Sequence, residues 1–243
     1  MTFYPGGKKY KGKEISKIIY NFVQHFEKDE NKSEKIIGYC EPFCGMLGVY
    51  ENSIDLFQNH SPKLKYKAGD RNPYIITLWQ GLQKGWKPTI SCSEKKYYQL
   101  KYSEEISLES IFVGFACSIR GVFRSTYFPP NNVKIQAEHC ISIGNKIREK
   151  KVKFTIGEYM QFSKLKNYII YCDPPYIGTQ NAYNIGDIKN NEFNYLIFLN
   201  WCEKMSEHNL VFISDYKKPH KNCHLIWKKG KEKLFIYNKN FNI

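Results

Sequence analysis

The sequence lacks the features that mark membrane, secreted and metal-binding proteins. No stretch approaches the ~18 uninterrupted apolar residues that a membrane-spanning helix needs. The segment MTFYPGGKKYKGKE at the start has no apolar centre of the kind found in signal peptides. The eight cysteines are scattered, with no CxxC pair and no His-rich cluster beside them. We therefore expect an intracellular protein that is not secreted, with reduced thiols, no membrane contact and no metal site.

Acidic residues are few relative to basic ones. Lys and Arg total 37 against 23 Asp and Glu, which gives a formal net charge of +14. Such an excess suits a polyanionic partner, and each phosphate neutralised makes binding more dependent on salt. The chain is also rich in Lys, Asn, Ile and Tyr, as a low-GC genome encodes, so the charge supports a nucleic-acid partner without establishing one.

Helical and β patterns alternate along the chain. Apolar spacing predicts helices near 13–29, 74–84, 133–150 and 191–206, the last with Phe193, Leu196, Ile197 and Trp201 on one face. Strands are predicted in segments 35–43, 64–70, 152–159, 168–175, 209–216, 224–230 and 233–239, the last two as an antiparallel pair around a Gly-Lys-Glu turn. This alternation predicts an α/β fold with a mostly parallel sheet and right-handed crossovers.

Acidic residues recur where these strands end. Glu41, Asp70, Glu158 and Asp173 close successive predicted strands, and ligands of such sheets bind at the carboxyl ends of the strands. No GxGxxG follows the first strand, which argues against a plain dinucleotide-binding dehydrogenase. The interval 85–150 is too long for one crossover and contains the basic, aromatic stretch SIRGVFRSTYFPPNNVK, so it is interpreted as an insertion.

The segment YIIYCDPPYIGT suits a chemistry of planar amines. Asp173 offers carboxylate oxygens, and Pro174 has a fixed φ and no N–H, so its carbonyl can be directed outward. Tyr176 offers a ring for stacking. The amine of adenine is a poor nucleophile because its lone pair is delocalised, and two acceptors aligned on its protons favour attack on a nearby electrophile. A base in a duplex must first be flipped out. A simple strand-capping Asp-Pro turn is the alternative that these four residues leave open.

Other segments extend this pattern over most of the chain. They are YPGGK (4–8), EPFCGMLGVY (41–50), GDRNPYIITLW (69–79), IGEYMQF (156–162), CDPPYIGT (172–179) and FISDYKKP…IWKKGK (212–231). In this order they resemble the Dam-type adenine-N6 DNA methyltransferases, and the tail most resembles the phage and giant-virus branch. The resemblance implies a Rossmann-like class I methyltransferase fold, with a mostly parallel seven-stranded sheet and a C-terminal antiparallel hairpin.

The resemblance also implies an interrupted catalytic domain. Residues 1–84 and 151–243 would form the domain that binds S-adenosyl-L-methionine, and 85–150 would be the inserted region that recognises the DNA target. In the insertion, Arg120, Arg124 and Tyr127 are candidates for contacts with phosphates or bases, since arginine pairs with phosphates or guanine and aromatic rings stack. A solvated basic loop is the alternative.

The family motifs imply specific site residues. The catalytic ones are Asp173, Pro174, Pro175 and Tyr176. The cofactor-binding ones are Tyr4, Gly7, Lys8, Glu41, Pro42, Phe43, Cys44, Gly45, Asp70, Arg71, Asn72, Glu158, Tyr159 and Asp173. Asp70 would accept hydrogen bonds from the ribose hydroxyls, and Glu158 and Tyr159 would contact the adenine ring of the cofactor. In FCGMLG, Leu47 stands where the family commonly has its second glycine, with Gly48 one place later, which puts the geometry of this loop in question.

The implied activity is methyl transfer from S-adenosyl-L-methionine to the 6-amino group of a flipped adenine in duplex DNA. We expect DNA binding that weakens with salt, and the family raises a partner restriction nuclease and a restriction-modification role. An N4-cytosine or RNA adenine methyltransferase and a catalytically inactive DNA-binding relative remain alternatives. No role for Ser214 or Tyr216, recognition sequence or oligomeric state follows from the sequence.

Overall fold

A seven-stranded mixed sheet organises the part of the chain that the structure describes. This computed structural model describes residues 7–8, 10–28, 35–60, 63–129, 133–176 and 193–238. Its strands are β1 Gly38–Glu41, β2 Lys65–Asp70, β3 Lys153–Ile156, β4 Tyr168–Cys172, β5 Leu210–Asp215, β6 Cys223–Lys229 and β7 Glu232–Tyr237. They lie in the order β3-β2-β1-β4-β5-β7-β6, and β7 runs antiparallel to both of its neighbours while the other pairs are parallel. The predicted fold class, including the C-terminal hairpin, is confirmed.

Helices pack on both faces of this sheet. They are α1 Gly12–Glu27, α2 Tyr50–His60, α3 Pro73–Gln83, α4 Glu94–Lys101, α5 Leu108–Ala116, α6 Val133–Glu149 and α7 Tyr195–Ser206. The predicted apolar face of α7 is wrong in part: Trp201 is buried, but Leu196 and Ile197 are 68% and 49% exposed, and Phe198 and Cys202 are buried instead. Consecutive apolar residues in this helix fit more than one stripe, so periodicity alone could not choose the face that meets the sheet.

Residues of the central strands alternate between two hydrophobic clusters. Along β5, Leu210 and Phe212 join one cluster, and Val211 and Ile213 join the other. Because successive side chains of a strand point to opposite faces, the clusters lie on opposite sides of the sheet. Helices α1 to α6 contribute residues to the first cluster, and α7 contributes to the second. The central strands are thus buried on both faces, as expected for parallel strands under crossover helices.

Part of the interval 85–150 belongs to this same core. Phe112 of α5 and Ile143 of α6 join the cluster that contains Trp79 of α3. Helix α6 leads directly into β3, so it is the crossover helix that precedes this strand. The interval therefore contributes to the stability of the sheet as well as carrying the loop at 117–129.

The loop after β1 is built around a close approach of two backbones. A Cβ added at Gly48 would lie 3.1 Å from the carbonyl carbon of Lys8, and one added at Gly12 would lie 1.9 Å from the carbonyl oxygen of Gly48. Leu47 has a φ of 57° and is fully buried. A φ of this sign favours glycine, so Leu47 takes a conformation that a glycine at this position would adopt with less strain. Gly48 provides the close contact with the backbone of Lys8.

Two general features concern the described residues alone. None of their helices is both long enough and apolar enough to cross a membrane, and they contain no group of three or more His, Cys, Asp or Glu side chains placed to hold a metal. The eight cysteines are free thiols, seven of them buried.

Candidate functional site

The carboxyl ends of the parallel strands place four acidic residues along one edge of the sheet. Glu41, Asp70 and Asp215 close β1, β2 and β5, and Asp173 directly follows β4. Because these strands are parallel and in register, their ends lie side by side. We call this the acidic edge.

Asp173 is held by a lysine from the N-terminal segment and by the tyrosine of its own loop. Lys8 Nζ lies 2.7 Å from Asp173 Oδ1, and the two side chains are only 7% and 16% exposed. The Tyr176 hydroxyl lies 3.0 Å from the same oxygen. Lys8 Nζ also lies 4.8 Å from the centroid of the Tyr176 ring. The ammonium group thus covers both the carboxylate and the ring that the sequence assigned to an amine-bearing base.

Glu232, the first residue of β7, completes this cluster and was not predicted. Its side chain is 5% exposed and accepts a hydrogen bond from the Tyr176 hydroxyl. Lys11 Nζ lies 3.3 Å from its Oε2, and Lys8 Nζ lies 3.8 Å from its Oε1. The sequence suggested a turn residue, because Glu232 stands in the charged run KKGKEK. The strand pairing instead places it beside the acidic edge, where Asp215 pairs with Lys233.

Burial dominates the titration of these groups. It raises the pKa of the Asp173 carboxyl; the charge of Lys8 opposes this shift and the charge of Glu232 adds to it. Burial also raises the pKa of the Tyr176 hydroxyl far above its ordinary value, as does the charge of Asp173. Tyr176 therefore keeps its proton and acts as a donor between two carboxylates, while Asp173 is a stronger proton acceptor than an exposed aspartate.

A buried turn after β5 places a second ring against Tyr176. Asp215 is fully buried and accepts hydrogen bonds from the backbone N–H groups of Tyr216 and Lys217 at 2.6 and 3.1 Å, and from the Tyr195 hydroxyl. The fixed turn brings the Tyr216 ring edge-on to Tyr176, with centroids 4.5 Å apart and an interplanar angle of 80°. This gives Tyr216 a structural setting that the sequence did not supply.

Asp70 organises the loop that follows β1. Its Oδ2 accepts a hydrogen bond from Gly45 N at 2.9 Å, and its Oδ1 accepts one from Asn72 N at 2.8 Å. Trp79 Nε1 donates to the Gly45 carbonyl at 3.0 Å, so the peptide groups on both sides of Gly45 are held. Burial raises the pKa of Asp70 to about 6; the N–H groups of Asn72 and Gly45 lower it, and the charge of Glu158 raises it.

Glu41 is a buried carboxylate close to the same lysine. Its Oε1 accepts a hydrogen bond from the Tyr39 hydroxyl at 2.6 Å, and that hydroxyl accepts one from Ser53. Burial raises its pKa well above the ordinary value; the Tyr39 bond and the charge of Lys8 lower it, and the charge of Asp173 raises it. The charge of Asp173, at the end of β4, therefore acts on Glu41 at the neighbouring end of β1.

The predicted residues after β2 and β3 lie together, but the aromatic one faces inward. Arg71 Nε lies 3.2 Å from Oε1 of Glu158, whose side chain is 45% exposed. The Tyr159 ring is 5% exposed and stacks on Phe43, with centroids 5.5 Å apart. Tyr159 also contacts Trp201. This ring is thus part of the core beneath the acidic edge, and its predicted contact with a cofactor stays a prediction.

The remaining predicted residues occupy varied settings. Gly7 is exposed, Pro42, Cys44 and Pro174 are buried, and Pro175 is partly buried. Asn72 is buried and caps α3 by accepting from Tyr74 N. Tyr4 lies outside the residues that the structure describes, as do 177–179 of the YIIYCDPPYIGT segment.

The three candidate DNA-binding residues in the insertion differ in their contacts and their exposure. Arg124 Nη2 donates to the Leu100 carbonyl and to Ser110 Oγ at 3.1 and 3.2 Å, and the Tyr127 hydroxyl donates to the Cys92 carbonyl at 3.1 Å. These two side chains therefore have intramolecular partners that hold their loop together. Arg120 is exposed and has a φ of 53°.

The loop that carries Arg120 lies near the acidic edge. Phe123 stacks on Tyr74, with ring centroids 4.5 Å apart, and Tyr74 is in the first turn of α3, just after β2 ends. Ser118 and Tyr127 form an antiparallel bridge that closes the loop. Arg120 is thus an exposed residue on a loop that packs against the start of α3, and its predicted contact with phosphates or bases stays a prediction.

Part of the chain matches a known protein family. Residues 119–229, a little under half of the 243-residue chain, match the family described as D12 class N6 adenine-specific DNA methyltransferase. The match begins in the loop of Arg120 and includes the Asp173–Tyr176 segment. A search of the curated proteins gave no match.

Solved structures with some similarity come from two bacteria. A Listeria monocytogenes protein described as a class I S-adenosylmethionine-dependent methyltransferase is 9% identical with a TM-score of 0.41; the match covers 93% of this chain and 61% of that one. This chain therefore spans less than two thirds of the length of that protein. Two structures of an rRNA methyltransferase, AviRa of Streptomyces viridochromogenes, are 11% identical with TM-scores of 0.38, and the matches cover 87% of this chain and 80–81% of theirs. These identities and TM-scores are too low to indicate a function for this chain.

Proposed function

We propose that this chain, whose residues 119–229 match the family of D12 class N6 adenine-specific DNA methyltransferases, methylates the 6-amino group of an adenine flipped out of DNA. The methyl donor of such an enzyme is S-adenosyl-L-methionine. The observation that carries the proposal is the position of Asp173, a nearly buried carboxylate in the matched region at the carboxyl end of a central parallel strand.

The match discriminates among the alternatives that the sequence left open. The D12 description specifies adenine and DNA, which favours this substrate over cytosine or RNA. The buried cluster of Lys8, Asp173, Tyr176 and Glu232 argues against an inactive DNA-binding relative, because such a chain has no need to keep two carboxylates out of water. Ionised groups in such a place are typical of functional sites.

The residues of the acidic edge fit S-adenosyl-L-methionine. Each Asp70 oxygen accepts one backbone N–H, and an ionised carboxylate oxygen has room for a further donor, so the ribose hydroxyls can be accommodated. Because burial raises its pKa, further donors from the ribose would stabilise its ionised form. Glu41 and Asp173 add carboxylates near the place where a cationic methionine end would lie. The loop 41–45 and Asp70 would therefore hold the cofactor, with Arg71, Asn72 and Glu158 around its ribose and base.

Bound S-adenosyl-L-methionine supplies an electrophilic methyl group on a sulfonium. The amine nitrogen of adenine would form the new N–C bond with its lone pair as the bond between the methyl carbon and sulfur breaks, which leaves S-adenosylhomocysteine, and the nitrogen would then lose one proton. Asp173 accepts a hydrogen bond from this amine, which draws charge toward the nitrogen before the transfer and stabilises the positive charge that develops there. The raised pKa of Asp173 makes it a better acceptor for that proton than an ordinary aspartate. Pro174, without an N–H, leaves its carbonyl as the second acceptor.

Tyr176 and Tyr216 would hold the extruded base. Their rings meet edge-to-face beside Asp173, and the hydroxyl of Tyr176 is fixed by two carboxylates, so its ring plane is preorganised. Base–aromatic stacking contributes about 1–3 kcal/mol, enough to offset much of the few kcal/mol that unpairing a base requires.

A basic surface adjoins this site and would bind the DNA backbone. Lys217 and Lys218 follow β5, and Lys228 and Lys231 flank the β6–β7 turn; all four are exposed. The antiparallel pairing of β7 with β5 and β6 brings both segments to the acidic-edge end of the sheet. We call these four residues the basic edge, and we expect each to neutralise one phosphate of duplex DNA, with Arg120 approaching from the insertion.

The biological setting remains a proposal. A DNA substrate implies action inside a cell, and a partner restriction nuclease, a restriction-modification role and a phage or giant-virus origin are suggested only by the sequence resemblance.

Cofactor affinity should rise with pH through the titration of Asp70. Its pKa is about 6 in the protein, so below that pH it is protonated and loses acceptor capacity for the ribose hydroxyls. We expect the affinity for S-adenosylhomocysteine, measured by calorimetry, to rise from pH 5 to 6 and to level off near pH 7. Asp70→Asn should bind about tenfold more weakly and without this step, whereas Glu158→Gln should keep the step. Affinity that is constant from pH 5 to 7 in the wild type contradicts the role of Asp70.

Asp173 should be required for methyl transfer and not for folding. Asp173→Ala removes the acceptor for the amine, and we expect kcat to fall by about 10²–10³-fold or more, measured as N6-methyladenine by nucleoside mass spectrometry after incubation with cofactor and unmethylated DNA. Asp55→Ala, which removes an exposed acid paired with Lys146, is the control and should retain activity. Formation of N4-methylcytosine by the wild type, or normal turnover by Asp173→Ala, would refute the proposed function.

DNA binding should weaken steeply with salt, and the basic edge should carry part of that dependence. Replacing Lys217, Lys218, Lys228 and Lys231 by Gln should reduce the slope of log K against log salt by up to about 0.9 per lysine, measured by fluorescence anisotropy on duplex DNA. The matched control replaces exposed lysines near the opposite ends of the strands. These are Lys35, Lys65, Lys164 and Lys166. An equal loss of slope in both variants would show that the charge acts without a defined surface.

A further inference from the structure

Lys8 occupies the positions that a target base needs. Its ammonium lies 2.7 Å from the Asp173 oxygen and 4.8 Å from the centre of the Tyr176 ring. In the proposed function, the first must accept the amine of adenine and the second must stack on the base. A base can therefore take up this position only if Lys8 moves away from Asp173.

If the Lys8 ammonium leaves Asp173 and stays buried, it needs another negatively charged group beside it. Its side chain is 7% exposed, and a buried ammonium that loses its carboxylate is strongly unfavourable. Adenine is neutral, so it does not replace the negative charge that Lys8 gives up. A second carboxylate within a short movement is needed.

Glu41 also lies near Lys8, but its Oε1 already accepts a hydrogen bond from Tyr39, and burial raises its pKa well above the ordinary value, which favours its neutral form. Glu232 is the carboxylate that already lies within ion-pair distance of the ammonium. Its Oε1 lies 3.8 Å from Lys8 Nζ, at the outer limit of an ion pair, and it is 5% exposed. We propose that Glu232 is a positioning residue that receives the Lys8 ammonium when the target base binds, so that Asp173 is released to accept the adenine amine. This inference rests on the proposed function, because it assumes that Asp173 binds the amine.

The surrounding contacts allow the exchange at little electrostatic expense. Lys8, Lys11, Asp173 and Glu232 together carry two positive and two negative charges, so moving Lys8 between the acids leaves the cluster neutral. Tyr176 lies within hydrogen-bond distance of both acids and can follow the exchange by turning its single proton from one to the other. The movement joins neighbouring groups and requires no rearrangement of the strands.

The exchange would also adjust the reactivity of Asp173. At present the charge of Lys8 lowers the pKa of this carboxyl against the effect of burial. Once Lys8 pairs with Glu232, that effect weakens, and Asp173 becomes a stronger acceptor at the moment when the amine must lose a proton. Lys8 would thus protect the site between turnovers and leave it during each one.

The first test is Glu232→Gln, which keeps the size of the side chain but cannot receive the ammonium ion as a charge partner. We expect kcat/KM for DNA to fall about tenfold or more, with binding of S-adenosylhomocysteine within about twofold of the wild type. Glu232→Asp, which keeps the charge, should recover part of the loss. Glu14→Gln is the surface control, because Glu14 pairs with Lys229 on the outside of the same hairpin.

Thermal unfolding of each variant separates misfolding from loss of function. If Glu232→Gln is unfolded, the comparison is made with Glu232→Asp.

The second test asks whether Glu232 acts through Lys8. In a Lys8→Met background there is no ammonium to receive, so Glu232→Gln should change kcat/KM by less than about threefold. In a Lys11→Met background, which removes the other lysine on Glu232, the full effect of Glu232→Gln should persist. The same comparison is made on the dissociation constant of substrate DNA with S-adenosylhomocysteine present, so that an inactive Lys8→Met still gives a value.

The outcomes distinguish this inference from the proposed function. Loss of the Glu232 effect when Lys8 is absent supports the exchange. The exchange is overturned if Glu232→Gln has the same effect with and without Lys8, or if it has no effect in the protein that keeps Lys8. In either case, N6-methyladenine formation by the wild type leaves the proposed function intact. A wild type that forms no N6-methyladenine overturns both.

Discussion

The ion pair between Lys8 and Asp173 connects the N-terminal segment to the end of a central strand. Taking two charges out of water is unfavourable, and such a pair is stable only when good geometry and further hydrogen bonds compensate for the lost hydration. Tyr176 and Glu232 supply those partners here. The pair is therefore poorly explained as a device for stability, since apolar residues would fill the space as well. It is better explained by function: in the proposed mechanism, Asp173 is a preorganised hydrogen-bond acceptor, and Lys8 shields it from water until the substrate base takes the place of the lysine.

The scaffold makes this arrangement through two constraints. Parallel pairing of β1, β2, β4 and β5 brings their carboxyl ends to one edge, so residues far apart in sequence converge there without any long loop. The contact of Gly48 with the backbone of Lys8, and of Gly12 with Gly48, then holds the N-terminal segment against that edge. The antiparallel β7 brings Glu232 to the same place from the other end of the chain. Three separate parts of the sequence thus meet around Asp173.

The sequence predicted the acids that end parallel strands, because apolar runs closed by Asp or Glu and the direction of crossovers are both local signals. Asp70 and Asp173 were found in this way. Glu232 was not, because a glutamate in a lysine-rich turn is usually solvated, and its burial follows only from the pairing of β7 with β5. The family resemblance also suggested DNA contacts for Arg124, yet its guanidinium bonds to Leu100 and Ser110 within the protein. Side-chain partners of this kind depend on packing between distant segments, which neither periodicity nor motif spacing encodes.

The most direct measurement is a crystal structure of the protein with S-adenosylhomocysteine and an unmethylated duplex that contains its target, identified by sequencing the modified positions. The account predicts an extruded adenine whose 6-amino nitrogen lies about 3 Å from an Asp173 oxygen, with its ring against Tyr176 and Lys8 turned toward Glu232. An adenine bound away from Asp173, with the Lys8–Asp173 pair unchanged, would contradict it.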